Sequence, residues 1–165
     1  FEQGQSIEHL DLAKCVGPAW VIDVGVLEPR ELITVGHLGD DAERIERGDR
    51  VLLRSGWSVR IDTPTYRDEL PRISLELAQF FAERLVALVG VEPPSVAAVD
   101  DTGEITIVHQ TLLQAGIVIV EGLTNLESLR EERVFFTALP LKIEGGDGTP
   151  VRAIVIEGSM DEILP

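Results

Sequence analysis

The sequence predicts a single α/β domain built on a mixed sheet or partly closed β-barrel with flanking helices. Three observations predict it. Aliphatic runs of strand length recur along the chain, but only part of their order alternates with helical segments. The last two runs, 134–144 and 151–157, lie close enough to form an antiparallel pair, which a purely parallel sheet would not contain. The length, 165 residues, suits one domain with a core of its own, here 1–165.

Taken in order, residues 1–15 are polar and mixed. VGPAWVIDVG (16–25) reads as a buried strand entered through Gly17-Pro18, and ELITVG (31–36) as a shorter one. DDAERIERGD (40–49) reads as a short charged helix, with Asp40 as its cap, Glu43 completing a capping box and Gly48 ending it. VLLRSGW (51–57) is a third strand. Prolines 64 and 71 mark 58–73 as an irregular loop. SLELAQFFAERLVALVG (74–90) gives the clearest helix, capped by Ser74, with Leu77, Phe80, Phe81 and Leu85 at helical spacing; its end turns into a strand that finishes near Pro93-Pro94. After an Asp- and Gly-rich loop (95–104), ITIVHQTLLQAG (105–116) carries a short helix ending at Gly116. IVIVEG (117–122) is a strand and NLESLREE a turn or two of helix. VFFTALPLKIE (134–144) is a long strand broken by Pro140, GGDGTP a turn, and VRAIVIE (151–157) the last strand. That makes about seven strands and three or four helices.

The net charge of −15 and the pI near 4.5 argue against partners that need a basic face, so neither nucleic acid nor an anionic membrane is expected. The single cysteine, Cys15, cannot form an internal disulfide, and its apolar surroundings read as those of a small buried hydrophobe. No GxGxxG, phosphate loop, GxSxG, HExxH or CxxC is present.

Of the three histidines, His109 stands out. It lies twelve residues before Glu121, with a short helix, the Gly116 turn and a strand between them. A helix followed by a returning strand can bring both ends to one rim, where imidazole nitrogen and carboxylate oxygen suit zinc or manganese. Two ligands do not complete a site. The alternative is an exposed histidine and a strand-end glutamate capping the backbone of Leu123 or Thr124. His9 and His37 read as solvated or locally bonded. Trp57 either lines a pocket for an aromatic substrate or fills the core, Ser95 faces the site or shapes a turn, and Asn125 either supports the backbone behind a metal or caps a short helix.

Five segments, in order, carry a resemblance: SIEHLDLAKCVGPAWVIDV (6–24), GDRVLLRSGWS (48–58), LVGVEPPSV (88–96), HQTLLQAGIVIVEGLTNL (109–126) and LPLKIEGGDGTPVRAI (139–154). Together they resemble the metal-dependent cyclase/formamidase family, which includes bacterial kynurenine formamidases and isatin hydrolases. Glu92 stands where that family usually has aspartate. The resemblance implies a swivelling β/α/β-like cyclase fold and a metal-dependent hydrolase of an amide, formamide or cyclic amide. It implies that His109 and Glu121 are ligands of a divalent metal, zinc or manganese, in a binuclear site. It also implies a small-molecule amide substrate, a homodimer or homotetramer, and a cytoplasmic location.

The family's N-terminal signature, H-x-G-T-H-x-D-x-P-x-H-F, supplies the remaining ligands and the histidine that acts as acid or base. It does not occur in these residues. The chain is therefore expected to be N-terminally incomplete, the C-terminal portion of the family domain, with no catalytic acid or base of its own. The competing expectation is an inactive cyclase-like domain serving as a binding or assembly module.

Overall fold

The computed structural model describes residues 4–158. Its strands are β1 (Val16–Asp23), β2 (Leu32–Ile33), β3 (Arg50–Arg54), β4 (Arg72–Ile73), β5 (Leu88–Val91), β6 (Val118–Val120), β7 (Arg133–Thr137) and β8 (Ile154–Ile156). Its helices are α1 (Asp41–Arg44), α2 (Thr65–Asp68), α3 (Leu75–Glu83) and α4 (Thr102–Gln114). Six strands form one open sheet in the order β6-β5-β3-β1-β7-β8, and β2 pairs with β4 in a small separate ribbon. The four strands β6, β5, β3 and β1 run parallel. β7 joins β1 antiparallel, and β8 joins β7 antiparallel, as the spacing of the last runs predicts. Of the two expected arrangements, the open mixed sheet is the one found; the sheet does not close into a barrel.

Side chains of the central strands alternate between two apolar layers, as the strand period requires. On one face Ile22, Val51, Leu53, Val89 and Val91 pack against Leu77, Ala78 and Phe81 of α3 and Val108 and Leu112 of α4. On the other face Ala19, Val21, Leu52, Leu88, Val134 and Phe136 lie under Leu123 and Leu126 of the segment that follows β6. Each large aliphatic or aromatic side chain so buried contributes about 1.5–3 kcal/mol.

Several elements differ from expectation for local reasons. The strand expected over 51–57 stops at Arg54, and Trp57 opens a 3₁₀ turn, Trp57–Arg60. The loop expected over 58–73 carries that turn, α2 and β4. α3 is capped as predicted, the Ser74 hydroxyl accepting from the Leu77 N–H, but ends at Glu83 because the chain reverses at Leu85, φ +54. α4 starts three residues earlier than expected. The Asp101 carboxylate accepts from the N–H groups of Gly103 and Glu104, so an apparent loop is the helix cap. Asp40 makes no side-chain cap; the capping box sits instead at Thr34 and His37. NLESLREE holds only a 3₁₀ turn, Leu126–Ser128. Residues 138–144 leave the sheet after β7. In IVIV, Ile117 and Val120 are buried, and Val118 and Ile119 are half-buried at the sheet edge.

Candidate functional site

The parallel strands all end on the same side of the sheet, where open α/β sheets bind their ligands. There β6 delivers Glu121 directly after Val120, and α4, which crosses back over the sheet between β5 and β6, presents His109 from its third turn. Gly116 makes the reversal between them, with φ +74 in the left-handed region at the helix C-terminus. The two side chains meet: His109 Nε2 lies 3.6 Å from Glu121 Oε1.

Each partner is oriented from behind. The Nδ1 of His109 lies 2.8 Å from the Ile105 carbonyl, one turn back on α4. A carbonyl can only accept, so Nδ1 carries the proton and the Nε2 lone pair faces Glu121 in the neutral ring. Glu121 Oε1 accepts from the Val96 N–H at 2.9 Å, which holds the carboxylate against the loop after β5. This contact replaces the expected caps at Leu123 or Thr124, since the Gly122 and Leu123 N–H groups donate to the carbonyls of Pro93 and Val91. The histidine is not exposed, its side chain being 21% accessible. Its pKa is raised by the Glu121 carboxylate, with the Ile105 carbonyl adding to the effect and burial opposing it.

A fixed imidazole lone pair and a carboxylate oxygen about 3.6 Å apart match two ligands of one ion. With bonds of about 2.1 Å at a tetrahedral angle, the two donor atoms would be about 3.4 Å apart. The hydrogen bond from His109 Nδ1 is the kind of outer support that metal-bound histidines use. The pair therefore fits part of a metal site. Among the described residues, no three His, Cys, Asp or Glu side chains gather closely enough to hold a metal by themselves.

The other candidates lie elsewhere. Trp57 is 1% exposed and belongs to the core, where its Nε1 donates to the Tyr66 carbonyl and the Arg60 guanidinium stacks on its ring. Ser95 shapes a turn, its hydroxyl accepting from the Ala97 N–H. Asn125 sits at φ +64, and its amide reaches only the Thr124 hydroxyl, at 3.4 Å; it touches neither Glu121 nor the backbone of the short helix. His9 bonds to the Ser6 hydroxyl and His37 to Thr34, both local contacts. Cys15 is buried, and burial pushes its thiol pKa up, away from reactivity.

Residue-by-residue reading missed two neighbours of the site. Tyr66, placed in a presumed loop, donates its hydroxyl to the Glu92 carbonyl at 2.7 Å. Its pKa is raised by burial first, then by Glu92 and Glu121. The second is Glu92 itself, whose four hydrogen bonds come from residues more than thirty positions away. No local pattern signals either.

Residues 1–98 match the family model Cyclase, described as “Putative cyclase”. The chain is 38% identical over 157 residues to a kynurenine formamidase of Salinibacter ruber, covering 93% of this chain and 68% of that one. The chain belongs to the cyclase family. Its fold is similar to that of a potential metal-dependent hydrolase with cyclase activity, at a TM-score of 0.75 and 28% identity over 94% of this chain and 72% of the other. It is also similar to isatin hydrolase A from Labrenzia aggregata, at a TM-score of 0.79 and 27% identity over 91% of this chain and 64% of the other. The chain thus spans about two thirds of the length of such members of the cyclase family. His109 and Glu121 lie beyond the residues that the family model matches, so their pairing rests on the geometry above.

Proposed function

We propose that this cyclase-family chain is part of a metal-dependent hydrolase acting on an amide, formamide or cyclic amide. The observation that carries the reading is the convergence of His109 Nε2 and Glu121 Oε1, the imidazole held through its far nitrogen by the Ile105 carbonyl and the facing carboxylate oxygen itself held by the Val96 N–H. The kynurenine formamidase and isatin hydrolase relatives supply the substrate class.

His109 and Glu121 would hold one ion, zinc or manganese, of a binuclear site whose other ligands come from outside the described residues. Bound there, a divalent ion supplies a water of lowered pKa and polarises the scissile carbonyl. The chain's own part is positional. The Ile105 carbonyl keeps the proton on Nδ1, leaving Nε2 to bind, and the Val96 N–H fixes the carboxylate. His109 lacks a free nitrogen for proton transfer once it is a ligand. The acid that protonates the leaving nitrogen must therefore be another group, which the family resemblance assigns to the N-terminal signature.

Association is also proposed. Leu139, Leu141, Ile154 and Ile156 leave an apolar surface beside the outer sheet edge, and a second copy is the occupant that the resemblance implies. Light scattering that shows only monomer would remove that part.

The codons upstream of Phe1 give the first test. An H-x-G-T-H-x-D-x-P-x-H sequence there supports the hydrolase. An initiator methionine immediately before Phe1 sinks it, and leaves the binding-module reading that the lack of a third ligand among the described residues favours. The second test is activity. In the protein carrying that signature, His109→Ala and Glu121→Ala should each lower hydrolysis of an aryl formamide by at least about a hundredfold, in line with loss of a metal ligand. Full activity in either variant would remove the pair from the mechanism.

A further inference from the structure

A second carboxylate stands at the end of the neighbouring strand, and the metal pair does not use it. Glu92 directly follows β5 and is wholly excluded from solvent. Through Oε2 it accepts from the Ser55 N–H at 2.7 Å, the Ser55 hydroxyl at 2.9 Å and the Trp57 N–H at 3.3 Å. Through Oε1 it accepts from the Ser58 hydroxyl at 2.8 Å. All four donors are uncharged, and Ser55 and Ser58 are themselves buried. A carboxylate is costly to place in a protein interior unless it is hydrogen-bonded, and here four donors satisfy it that an aliphatic side chain would leave unpaired. What the carboxylate adds is a fixed geometry: it ties the turn after β3 to the first residue beyond β5.

That residue begins the segment that holds Glu121. The Tyr66 hydroxyl donates to the Glu92 carbonyl. The next carbonyl, that of Pro93, accepts from the Gly122 N–H at 2.9 Å, and the carbonyl of Val91 accepts from the Leu123 N–H at 3.0 Å. The Val96 N–H reaches the Glu121 carboxylate itself. The backbone after Glu121 and its side chain are thus both bonded to 91–96, and 91–96 is pinned through Glu92.

We propose that Glu92 is a positioning residue of the His109–Glu121 site: its buried carboxylate locks the 91–96 segment that aims Glu121 at His109. The proposal rests on the reading of that pair as metal ligands. Glu92→Gln keeps the volume but removes one acceptor: either the amide NH2 faces the Ser55 and Trp57 N–H groups, or the Ser58 hydroxyl must reverse from donor to acceptor, and in both cases the charge-assisted bonds of the carboxylate are lost.

The test measures zinc and manganese affinity of the full-length protein by calorimetry, and hydrogen exchange of the Val96 amide by NMR. Expected for Glu92→Gln is a fall of at least about tenfold in ion affinity together with faster Val96 exchange. Ser58→Ala, which removes a single donor, should shift both readouts in the same direction by less. Ile45→Ala, a buried truncation ahead of β3 at the opposite ends of the strands from the site, should lower stability and leave both unchanged. Ion affinity within twofold of wild type in a folded Glu92→Gln protein overturns the proposal, even if Val96 exchanges faster, because the segment would then move without the site. If Glu92→Gln does not fold, Ser58→Ala decides on the same two measurements. If the full-length wild type takes up neither ion, the metal reading fails, and Val96 exchange alone decides whether Glu92 positions Glu121.

Discussion

Two neighbouring parallel strands end on a glutamate, and the chain treats the two carboxylates in opposite ways. Glu92, after β5, is fully buried and accepts four hydrogen bonds from neutral donors. Glu121, after β6, has a side chain about a third exposed, accepts one backbone N–H and faces an imidazole. A carboxylate shut off from solvent and held by four donors has little left to offer a ligand. One with a single support keeps its remaining lone pairs free. The same residue type at equivalent places in the fold is structural in one case and available for chemistry in the other, and the number of donors around it makes the difference.

The largest effect should come from cutting the two apart by truncation. Glu92→Ala strands two backbone N–H groups and two hydroxyls in the interior, and should cost about 3–5 kcal/mol of stability. Glu121→Ala strands only the Val96 N–H and should cost about 1–2 kcal/mol. Urea unfolding of both variants checks the ranking; equal losses would erase the distinction. Gly90→Ala comes next. A Cβ there would lie 2.7 Å from Leu123 Cδ1 and 2.7 Å from Leu52 Cδ2, one in the segment just after Glu121 and one in β3. Overpacking of this kind costs about 1–3 kcal/mol. Truncating Leu123 in the same protein should recover part of the loss, so that a double-mutant cycle gives a coupling of the opposite sign to the Gly90→Ala penalty. Trp57→Phe is smaller again, about 1 kcal/mol. It removes the Nε1 donor to the carbonyl of Tyr66, whose hydroxyl bonds the Glu92 carbonyl, and keeps the Trp57 N–H on Glu92, so any fall in ion affinity should be smaller than that of Glu92→Gln.

The comparison also shows what a sequence can and cannot carry. Glu121 was legible because its surroundings are local: a helix, a glycine turn and a strand within thirteen positions fix where His109 and Glu121 end up. The antiparallel β7–β8 pair was legible because the two strands follow one another in the chain, although residues 138–153 join them and not the expected 145–150 alone. Glu92 was not. Its donors Ser55, Trp57 and Ser58 come from the turn after β3, and only sheet order brings that turn beside β5. The true start of α4 was hidden although its signal is local. Asp101 looked like loop composition until its carboxylate met the N–H groups of Gly103 and Glu104. Trp57 allowed a pocket or a core reading because its type fits both; its burial decides for the core. The order β6-β5-β3-β1-β7-β8 follows from pairings between distant strands that no window of sequence contains.

The smallest predicted effect is the most specific to Glu121. The His109 pKa is raised in the folded chain, chiefly by the facing Glu121 carboxylate. A raised folded pKa means that the pair stabilises the fold when the imidazole is charged. That contribution is fully present below the unfolded value of about 6.5 and is lost as pH rises through the folded value. Stability of wild type relative to Glu121→Gln should therefore be greater at pH 6 than at pH 9, as read from urea midpoints at the two pH values. Ion binding must run the other way, because a ligand needs the neutral ring and each proton on Nε2 competes with the ion. Zinc affinity should rise with pH through the raised pKa, and in Glu121→Gln the remaining pH dependence should shift toward lower pH as His109 returns to its ordinary range. If stability and ion affinity rose together with pH, Glu121 would not be the partner that sets the charge of His109. The carboxylate after β6 would then resemble the one after β5, a structural acceptor beside a histidine.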